Sequence, residues 1–437
     1  LELVVEGKIV EDVLNQRFYL SIIDKYENDV AVKLNRMAED NKIELNFNIE
    51  TIQRAMKIEL SDLQKKAVEL AAGNKVVLIT GGPGTGKTTI LKAVLEVFDN
   101  NNLSTELAAP TGRAAKRMEE STGRIASTIH RLLGYRGGDN DFVLEKNEEE
   151  PLECDALVID EASMIDIFLM GNLMRAIPDE CRLILVGDID QLPSVGPGNI
   201  LRDLIKSERI PTIKLDKIYR QGTESLIVTN AHRIHHGMEP ICNEEDKDFF
   251  FIRSSSAKEA LDIVEDLAYN RIPKYYGFDP KNDIQILSAM KRGTCGVENL
   301  NEVLQRALNP AKENLNELML GKKIYRVGDK IMQIKNDYKL EWTSDNGIIG
   351  EGVYNGDSGI LADIDDAGEW IEVNFDGKFV RYEQKQMDEI DHSFAITIHK
   401  SQGSEFPCII IPIVAGPPML LSRNILYTAI TRAQKLV

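Results

Sequence analysis

One eight-residue stretch constrains this chain more than any other: Gly81-Gly82-Pro83-Gly84-Thr85-Gly86-Lys87-Thr88 fits the pattern G-x-x-x-x-G-K-[ST]. It follows the apolar run Val76-Val77-Leu78-Ile79 and precedes a helix-forming stretch that starts at Thr89. Strand, glycine-rich turn and helix in that order build a phosphate cradle: the glycines let backbone N–H groups face inward, and the helix N-terminus adds its positive end. Lys87 is expected to reach the β- and γ-phosphates and Thr88 to ligate Mg²⁺, with Gly82, Pro83, Gly84, Thr85, Gly86 and Thr89 lining the loop. A plain strand-to-helix turn needs one or two glycines and gains nothing from a Lys-Thr pair at this spacing. The surrounding fold is therefore expected to be α/β with a parallel sheet.

Two further apolar runs, Ala156-Leu157-Val158-Ile159 and Leu183-Ile184-Leu185-Val186, alternate with helical stretches and read as strands of that sheet, buried on both faces. Asp160-Glu161 closes the first of them, which places both carboxylates at the carboxyl edge, beside the phosphate loop. Asp160 suits Mg²⁺ through its water shell, and Glu161 suits polarisation of an attacking water. An acidic N-cap for a helix beginning near Met164 explains one carboxylate but not two. Gln191, in Gly187-Asp188-Ile189-Asp190-Gln191, follows the other run and is a candidate to sense the γ-phosphate or orient water. Gln64 has two readings that stay open together: contact with an adenine edge, or the capping box Ser61-Asp62-Leu63-Gln64.

At 437 residues the length prior allows about three domains. Segment 1–57 is charged and helix-like, with Ile22, Ile23, Tyr26, Val30, Val32, Leu34 and Met37 loosely periodic. A first lobe is expected over 58–211, with a polar, acidic insert at 135–153 that reads either as a projecting hairpin or as a solvated loop. A second α/β lobe is expected over 212–437, with strands at Phe249-Phe250-Phe251-Ile252, Ile284-Gln285-Ile286-Leu287 and Cys408-Ile409-Ile410-Ile411. Inside it, over 322–390, the period changes to two. Ile371, Val373 and Phe375 alternate with Glu372, Asn374 and Asp376 before an Asp376-Gly377 turn, the pattern of a small antiparallel barrel.

The formal net charge of −18 excludes broad, field-driven attraction to polyanions, so any nucleic-acid site must be local. Arg113, Lys116 and Arg117 form one local basic patch. The five cysteines lie far apart without ligand spacing, which argues against zinc and a disulfide framework and fits a reducing cytoplasm. The run from Pro407 to Leu421 is interrupted by prolines and too short to span a bilayer. Without an initiator Met, the start is expected to be a fragment or remnant of something longer.

These stretches fall in the motif order of superfamily 1 helicases. The order runs through Gln64, the phosphate loop, Ala109-Pro110-Thr111-Gly112-Arg113, Ser127-Thr128-Ile129-His130, Asp160-Glu161-Ala162-Ser163 and Gly187 to Pro193. It continues with Tyr219-Arg220-Gln221, Ala395-Ile396-Thr397-Ile398-His399-Lys400-Ser401-Gln402-Gly403 and Tyr427-Thr428-Ala429-Ile430-Thr431-Arg432-Ala433. The chain resembles the RecD/TraA-like branch of that superfamily. The resemblance implies two RecA-like parallel-sheet lobes with an SH3-like barrel insert and ATP, Mg²⁺ and single-stranded DNA as ligands. It implies arginine fingers at Arg220 and Arg432, and a nucleotide pocket completed by Gly403 and Glu405; the residues alone leave open a second reading of Arg432, as a cation at a helix C-terminus. DNA contacts are implied for Thr111, Thr128, His130, Thr397, His399 and Lys400, with Asn336 and Tyr338 near the barrel. Arg113 joins them on the strength of its basic patch. The resemblance assigns 135–153 as a strand-separating hairpin, and the strand after Thr431-Arg432 is expected to be missing because the chain stops at Val437.

The resulting expectation is an ATP-dependent 5′-to-3′ single-stranded DNA translocase that unwinds duplex at a single-strand/double-strand junction, in repair or recombination. Two other classes remain: a nucleotide-gated DNA-binding subunit without unwinding activity, and an RNA helicase on the same lobes, since phosphate and stacking contacts do not distinguish the sugars.

Overall fold

Every residue from Val76 to Gly81 is buried, and so is every residue from Arg182 to Gly187, so neither strand has a solvent face. Such strands need neighbours in the sheet and helices on both faces. The computed structural model describes residues 2–13, 16–39, 45–137, 142–216, 225–245, 247–313 and 316–437, and divides into two compact units: 1–110 with 114–223, and 111–113 with 224–437.

In the first unit the strands are β1 (Val76–Gly81), β2 (Thr105–Ala109), β3 (Ser127–Thr128), β4 (Ala156–Ile159), β5 (Arg182–Gly187) and β6 (Thr212–Leu215). They form one sheet in the order β6-β1-β5-β4-β2-β3, with every pairing parallel. β6 lies beyond the boundary expected at 211 and adds to this sheet, beside β1. The chain leaves β1 toward β2 on one side and leaves β5 toward β6 on the other. The sheet therefore has its topological switch between β1 and β5, where open α/β sheets hold ligands at their carboxyl ends.

Alternation along β1 sends Val76 and Leu78 to a core with Leu157, Leu183 and Met170, and Val77 and Ile79 to a second core with Ile90, Val94 and Phe98. Each such buried aliphatic contributes about 1.5–3 kcal/mol. At the opposite edge of the sheet, the buried Arg182 donates from Nη1 to the carbonyls of Ala71, Ala72 and Asn74, at the C-terminus of α2 (Asp62–Gly73). A guanidinium there satisfies carbonyls that the helix leaves open and complements its dipole.

The N-terminal region contributes α1 (Ser21–Glu39), which buries Val30, Leu34 and Met37 at helical spacing against α5 (Ile167–Ala176) of this unit. Tyr26 meets Phe168 edge-on at 5.1 Å. Of the loosely periodic residues, Ile22 and Val32 are exposed instead, because they fall on the other side of the helix. The other helices of this unit are α3 (Lys87–Asn100) and α4 (Gly112–Thr122). The segment 135–153 shows a two-residue antiparallel ladder, Arg136–Gly137 with Phe142–Val143; positions 138–141 lie outside the described residues.

In the second unit β7 (Ile284–Ser288), β8 (Ala395–Thr397), β9 (Phe406–Ile410) and β10 (Ala433–Leu436) form a parallel sheet in the order β8-β7-β9-β10. The helices α6 (Val297–Leu308) and α7 (Arg423–Ile430) belong to this unit. Two expectations are corrected here. The strand after Thr431-Arg432 is present as β10, since four residues suffice to pair with β9. Phe249 to Ile252 is not a strand: Asp248 and Phe250 exchange two hydrogen bonds with Val437, and Phe250, Phe251 and Ile252 are exposed.

The period-two region forms a seven-stranded antiparallel sheet curled round its own core, which includes Leu340, Val353, Leu361, Ile371, Val373, Val380 and Tyr382. Trp370–Phe375 buries every second residue, and Asp376 and Gly377 both take positive φ (52° and 87°), as a two-residue hairpin turn of the right twist requires. The wholly buried Asp329 joins this sheet to α6: it accepts from Gln305 Nε2 at 2.6 Å and Asn309 Nδ2 at 2.8 Å, and pairs with His392 Nε2 at 3.0 Å.

Candidate functional site

β1 runs directly into the phosphate loop, and α3 starts at Lys87 with no side-chain cap. Its first amides are thus left for a ligand. Gly86 holds φ at +86°, and a Cβ there would sit 2.2 Å from Gln64 Nε2, so a side chain would fill the space between loop and amide. Thr85 Oγ1 donates to Gly82 O at 2.8 Å and braces the loop from within. Lys87 Nζ donates to the carbonyls of Gly81 (2.5 Å) and Gly82 (3.0 Å), arching over the loop where a phosphate would sit. Pro83, Gly84 and Thr89 are half-buried on the loop and first helical turn, and Thr88 is open to solvent.

Of the two readings of Gln64, the capping box is observed. The capping box is complete, with Gln64 Oε1 accepting from Ser61 N at 3.0 Å, while Nε2 faces Gly86. For Asp160-Glu161 the N-cap reading fails: Asp166 caps α5 through Leu169 N at 2.8 Å, and Glu161 makes no side-chain cap. Glu161 instead adopts φ +53° and ψ +38°, a left-handed conformation that is costly for a residue with a Cβ. Its amide donates to Asp160 Oδ1 at 2.8 Å, which orients the Asp160 carboxylate. Burial pushes the Asp160 carboxyl above its ordinary range, the charge of Glu161 adds to this, and Lys87 opposes it. A carboxylate so placed gains from a divalent cation.

Gln191 follows β5 and is buried; its Nε2 donates to Asp188 Oδ2 at 3.2 Å while its Oε1 has no hydrogen-bond partner among the described residues. Asp188, also buried, was given no role by the sequence, yet it fixes which end of the Gln191 amide is available. Ser163 Oγ, just beyond Glu161, is a second buried polar atom without a partner among the described residues. Orphaned buried polar atoms are costly unless a ligand or water meets them. A hydroxyl, a carboxylate and a lysine about a glycine cradle fit a magnesium–nucleotide. Among the described residues no cluster of three His, Cys, Asp or Glu side chains could hold a metal by itself.

The remaining first-unit candidates sit on the same edge of the sheet. Thr128 Oγ1 accepts from Arg131 N at 3.1 Å as a helix cap. His130 packs edge-on to Tyr135 at 5.4 Å, and burial pushes its imidazole below the ordinary value, with Asp166 opposing. Lys116 is exposed on α4, with Arg117 half-buried beside it.

In the second unit, β8 ends in the turn that carries Thr397, His399 and Lys400. Thr397 Oγ1 accepts from Lys400 N at 3.3 Å. Burial pushes the His399 imidazole below its ordinary value. Lys400 reaches solvent; partial burial of its ammonium pushes it below the ordinary lysine range, Asp391 opposes this, and the charges of Lys291 and Lys323 add to it. Gly403 and Glu405 follow, and Glu405 Oε2 accepts from Gln434 Nε2 at 3.2 Å. Arg432 is buried, with its guanidinium donating to Thr428 O, Ser404 O and Thr431 Oγ1 at 3.2–3.3 Å. Thr111 and Arg113 group with this unit, and Arg113 Nη1 donates to Ser404 Oγ at 2.7 Å. Asn336 Oδ1 accepts from Asn355 N at 2.8 Å, next to an edge-on Tyr338–Tyr354 pair at 5.7 Å. Tyr354 carried no signal in the sequence. Arg220 lies outside the described residues.

Three family models match the chain: an AAA domain over 64–197, the SH3 domain of ATP-dependent RecD-like DNA helicases over 300–375, and the UvrD-like helicase C-terminal domain over 392–437. The ATP-dependent RecD2 DNA helicase of Deinococcus radiodurans is 35% identical over 376 residues, covering 86% of this chain and 48% of that protein. The RecBCD enzyme subunit RecD of Mycobacterium tuberculosis is 30% identical over 423 residues, covering 86% of this chain and 68% of that one. The chain thus spans about half the length of the first of these relatives. A Bacteroides Pif1 helicase crystallised with ADP-AlF3 and ssDNA shares the fold at a TM-score of 0.51 and 23% identity, over 86% of this chain and 91% of that one. A Pif1 structure described for unwinding at forked dsDNA gives 0.53 and 22%, over 86% and 90%.

Proposed function

Because the chain belongs to the RecD-like family of superfamily 1 helicases, we propose that it is an ATP-hydrolysing motor that moves 5′ to 3′ along single-stranded DNA and unwinds the duplex it meets. The observation that carries this reading is the convergence of the phosphate loop, Asp160-Glu161 and Gln191 on the carboxyl edge of one sheet, at its topological switch.

In the proposed mechanism the loop amides from Gly82 to Thr89 and Lys87 Nζ bind and orient the β- and γ-phosphates, and Gln64 closes the loop beside Gly86. Thr88 and Asp160 would hold Mg²⁺, which supplies positive charge against the phosphates when bound. Glu161 takes a proton from water as the water oxygen attacks the γ-phosphorus and the β–γ bridging bond breaks, leaving ADP and phosphate. The unpartnered Gln191 Oε1 accepts a hydrogen bond from that water. Arg220 and Arg432 are the proposed cations for charge that develops on the phosphates, and Gly403 and Glu405 complete the nucleotide contacts.

For DNA, the proposed contacts are Thr111, Arg113, Thr128, His130, Asn336, Tyr338, Thr397, His399 and Lys400. Lysine charge gathered round Lys400, in a chain of net charge −18, supports a local backbone track there. The names of the RecBCD relatives support a place in recombination or repair. The test is strand displacement on duplexes with a 5′ or a 3′ single-stranded tail. ATP-dependent release from the 5′-tailed duplex alone is expected; equal release from both, or binding without release, contradicts the proposal.

A further inference from the structure

The sulfurs of Cys154 and Cys181, 27 positions apart in the chain, lie 3.7 Å from each other inside the first unit. Both residues stand just before strands that are parallel neighbours, Cys154 ahead of β4 and Cys181 ahead of β5, with Ala156 in register with Arg182. They are therefore one position out of step across a strand spacing of about 4.8 Å, within the roughly 4.4–6.8 Å between Cα atoms that a disulfide spans. The backbone on both sides is held. Arg182 N donates to Asp155 O at 2.8 Å, Leu152 N to Ala176 O at 2.8 Å, and Cys181 N to Pro178 O at 3.1 Å. Asp155 Oδ2 accepts from Ser104 N at 2.7 Å and from Ser104 Oγ at 2.9 Å, which steadies the residue after Cys154. The sulfurs need only close from 3.7 Å to the roughly 2.05 Å of a disulfide, and side-chain rotation is the motion left to do it.

The two thiols are not equivalent. Cys154 is 9% exposed and Cys181 1%, so of the pair Cys154 is the one that solvent reaches, through an opening that suits a small oxidant better than a bulky disulfide. Contact with the Cys181 sulfur draws the Cys154 thiol below its ordinary value, with burial and the charges of Glu106 and Asp155 opposing. The same contact first, then burial, pushes Cys181 up. Cys181 Sγ also faces Arg182 O at 3.4 Å, a second acceptor for its hydrogen. Since the thiolate is the reactive form, Cys154 is the nucleophile of the pair and Cys181 the thiol that resolves.

We propose that Cys154 and Cys181 are an oxidation site that a small hydroperoxide converts to a disulfide. With hydrogen peroxide, the Cys154 thiolate attacks one oxygen, the O–O bond breaks and hydroxide leaves, giving a sulfenic acid at Cys154. Cys181 Sγ then attacks that sulfur, the S–O bond breaks, and the departing hydroxide takes the Cys181 proton as water. Over both steps two thiols are oxidised by two electrons, and one peroxide is reduced to two waters. The new bond closes a ring from 154 to 181 that contains β4, Asp160, Glu161 and α5, and such a ring restricts the unfolded chain.

The test treats the folded, full chain with hydrogen peroxide, blocks the remaining thiols and maps linked peptides by mass spectrometry. A peptide pair joining 154 to 181, absent before treatment and lost on adding dithiothreitol, is expected. The thermal midpoint of the oxidised chain should rise by about 5 °C or more, and C154S should show no such rise. Cys242, half-buried in the second unit, reports that the oxidant is active. Oxidation that consumes Cys242 while Cys154 and Cys181 stay free thiols, or that carries Cys154 to sulfinic acid with Cys181 still free, overturns the proposal. So does a midpoint that falls as the link forms, because the folded geometry would then not accept the bond.

Discussion

Glu161 holds a left-handed backbone conformation that costs about 1–2 kcal/mol for a side chain with a Cβ. Its amide orients the Asp160 carboxylate, and the neighbouring Asp166 does the capping that would otherwise account for an acidic residue here. This strain matches a carboxylate aimed at a reacting water. Glu161→Gln keeps the size and the backbone but removes the proton acceptor. We expect it to bind nucleotide with near wild-type affinity and to hydrolyse it about 10²- to 10⁴-fold more slowly, read by single-turnover hydrolysis of the bound nucleotide. Unchanged hydrolysis would remove Glu161 from the chemistry. The residue types at this edge were legible in the sequence because phosphate binding leaves so few solutions for spacing. Asp188 was not, because its effect is exerted through the orientation of another side chain. Nor was the enclosure of Arg432 by three local acceptors, which depends on how β9 and α7 pack.

At the level of elements, the apolar runs foretold the strands well wherever both faces are buried, as in β1, β4, β5 and β7. They failed at Phe249 to Ile252, where four apolar residues have too few partners to form a ladder. Alternation foretold the barrel strand at Trp370–Phe375, but not what secures the barrel, since Asp329, His392, Gln305 and Asn309 are far apart in sequence. Neither did it foretell Lys330, which is buried in the strand Lys330–Gln333 with Ile284 O at 3.5 Å from Nζ. Burial pushes its ammonium down to about 7, with Arg113 adding and Asp279 and Asp283 opposing. Between about pH 7 and 10 the unfolded chain binds this proton and the folded chain does not, so the Lys330 contribution to stability rises with pH across that window and is least favourable below it. Lys330→Met should raise the urea midpoint most at pH 6, by the equivalent of about 2–4 kcal/mol, and should flatten the rise toward pH 10. A midpoint that falls in the variant at pH 6 contradicts this account of the buried lysine.

The whole chain consists of two α/β units of different chemistry. The first carries a glycine cradle, a strained carboxylate and an unpartnered glutamine oxygen. The second carries His399 and Lys400 on the turn that ends a strand of its parallel sheet. In a chain of net charge −18 a cation such as Lys400 is a local feature, as the proposed nucleic-acid contacts require. The central claim is that these two chemistries are one activity, so that gripping a strand changes the rate at which the triphosphate is cleaved. The most direct measurement is steady-state ATP turnover with and without single-stranded DNA, for wild type and for Lys87→Ala. The account predicts at least about a tenfold rise in wild-type turnover on adding DNA, equivalent to 1.4 kcal/mol or more off the barrier, and no turnover above background in the variant. Turnover that is indifferent to DNA, or that survives in Lys87→Ala, contradicts it.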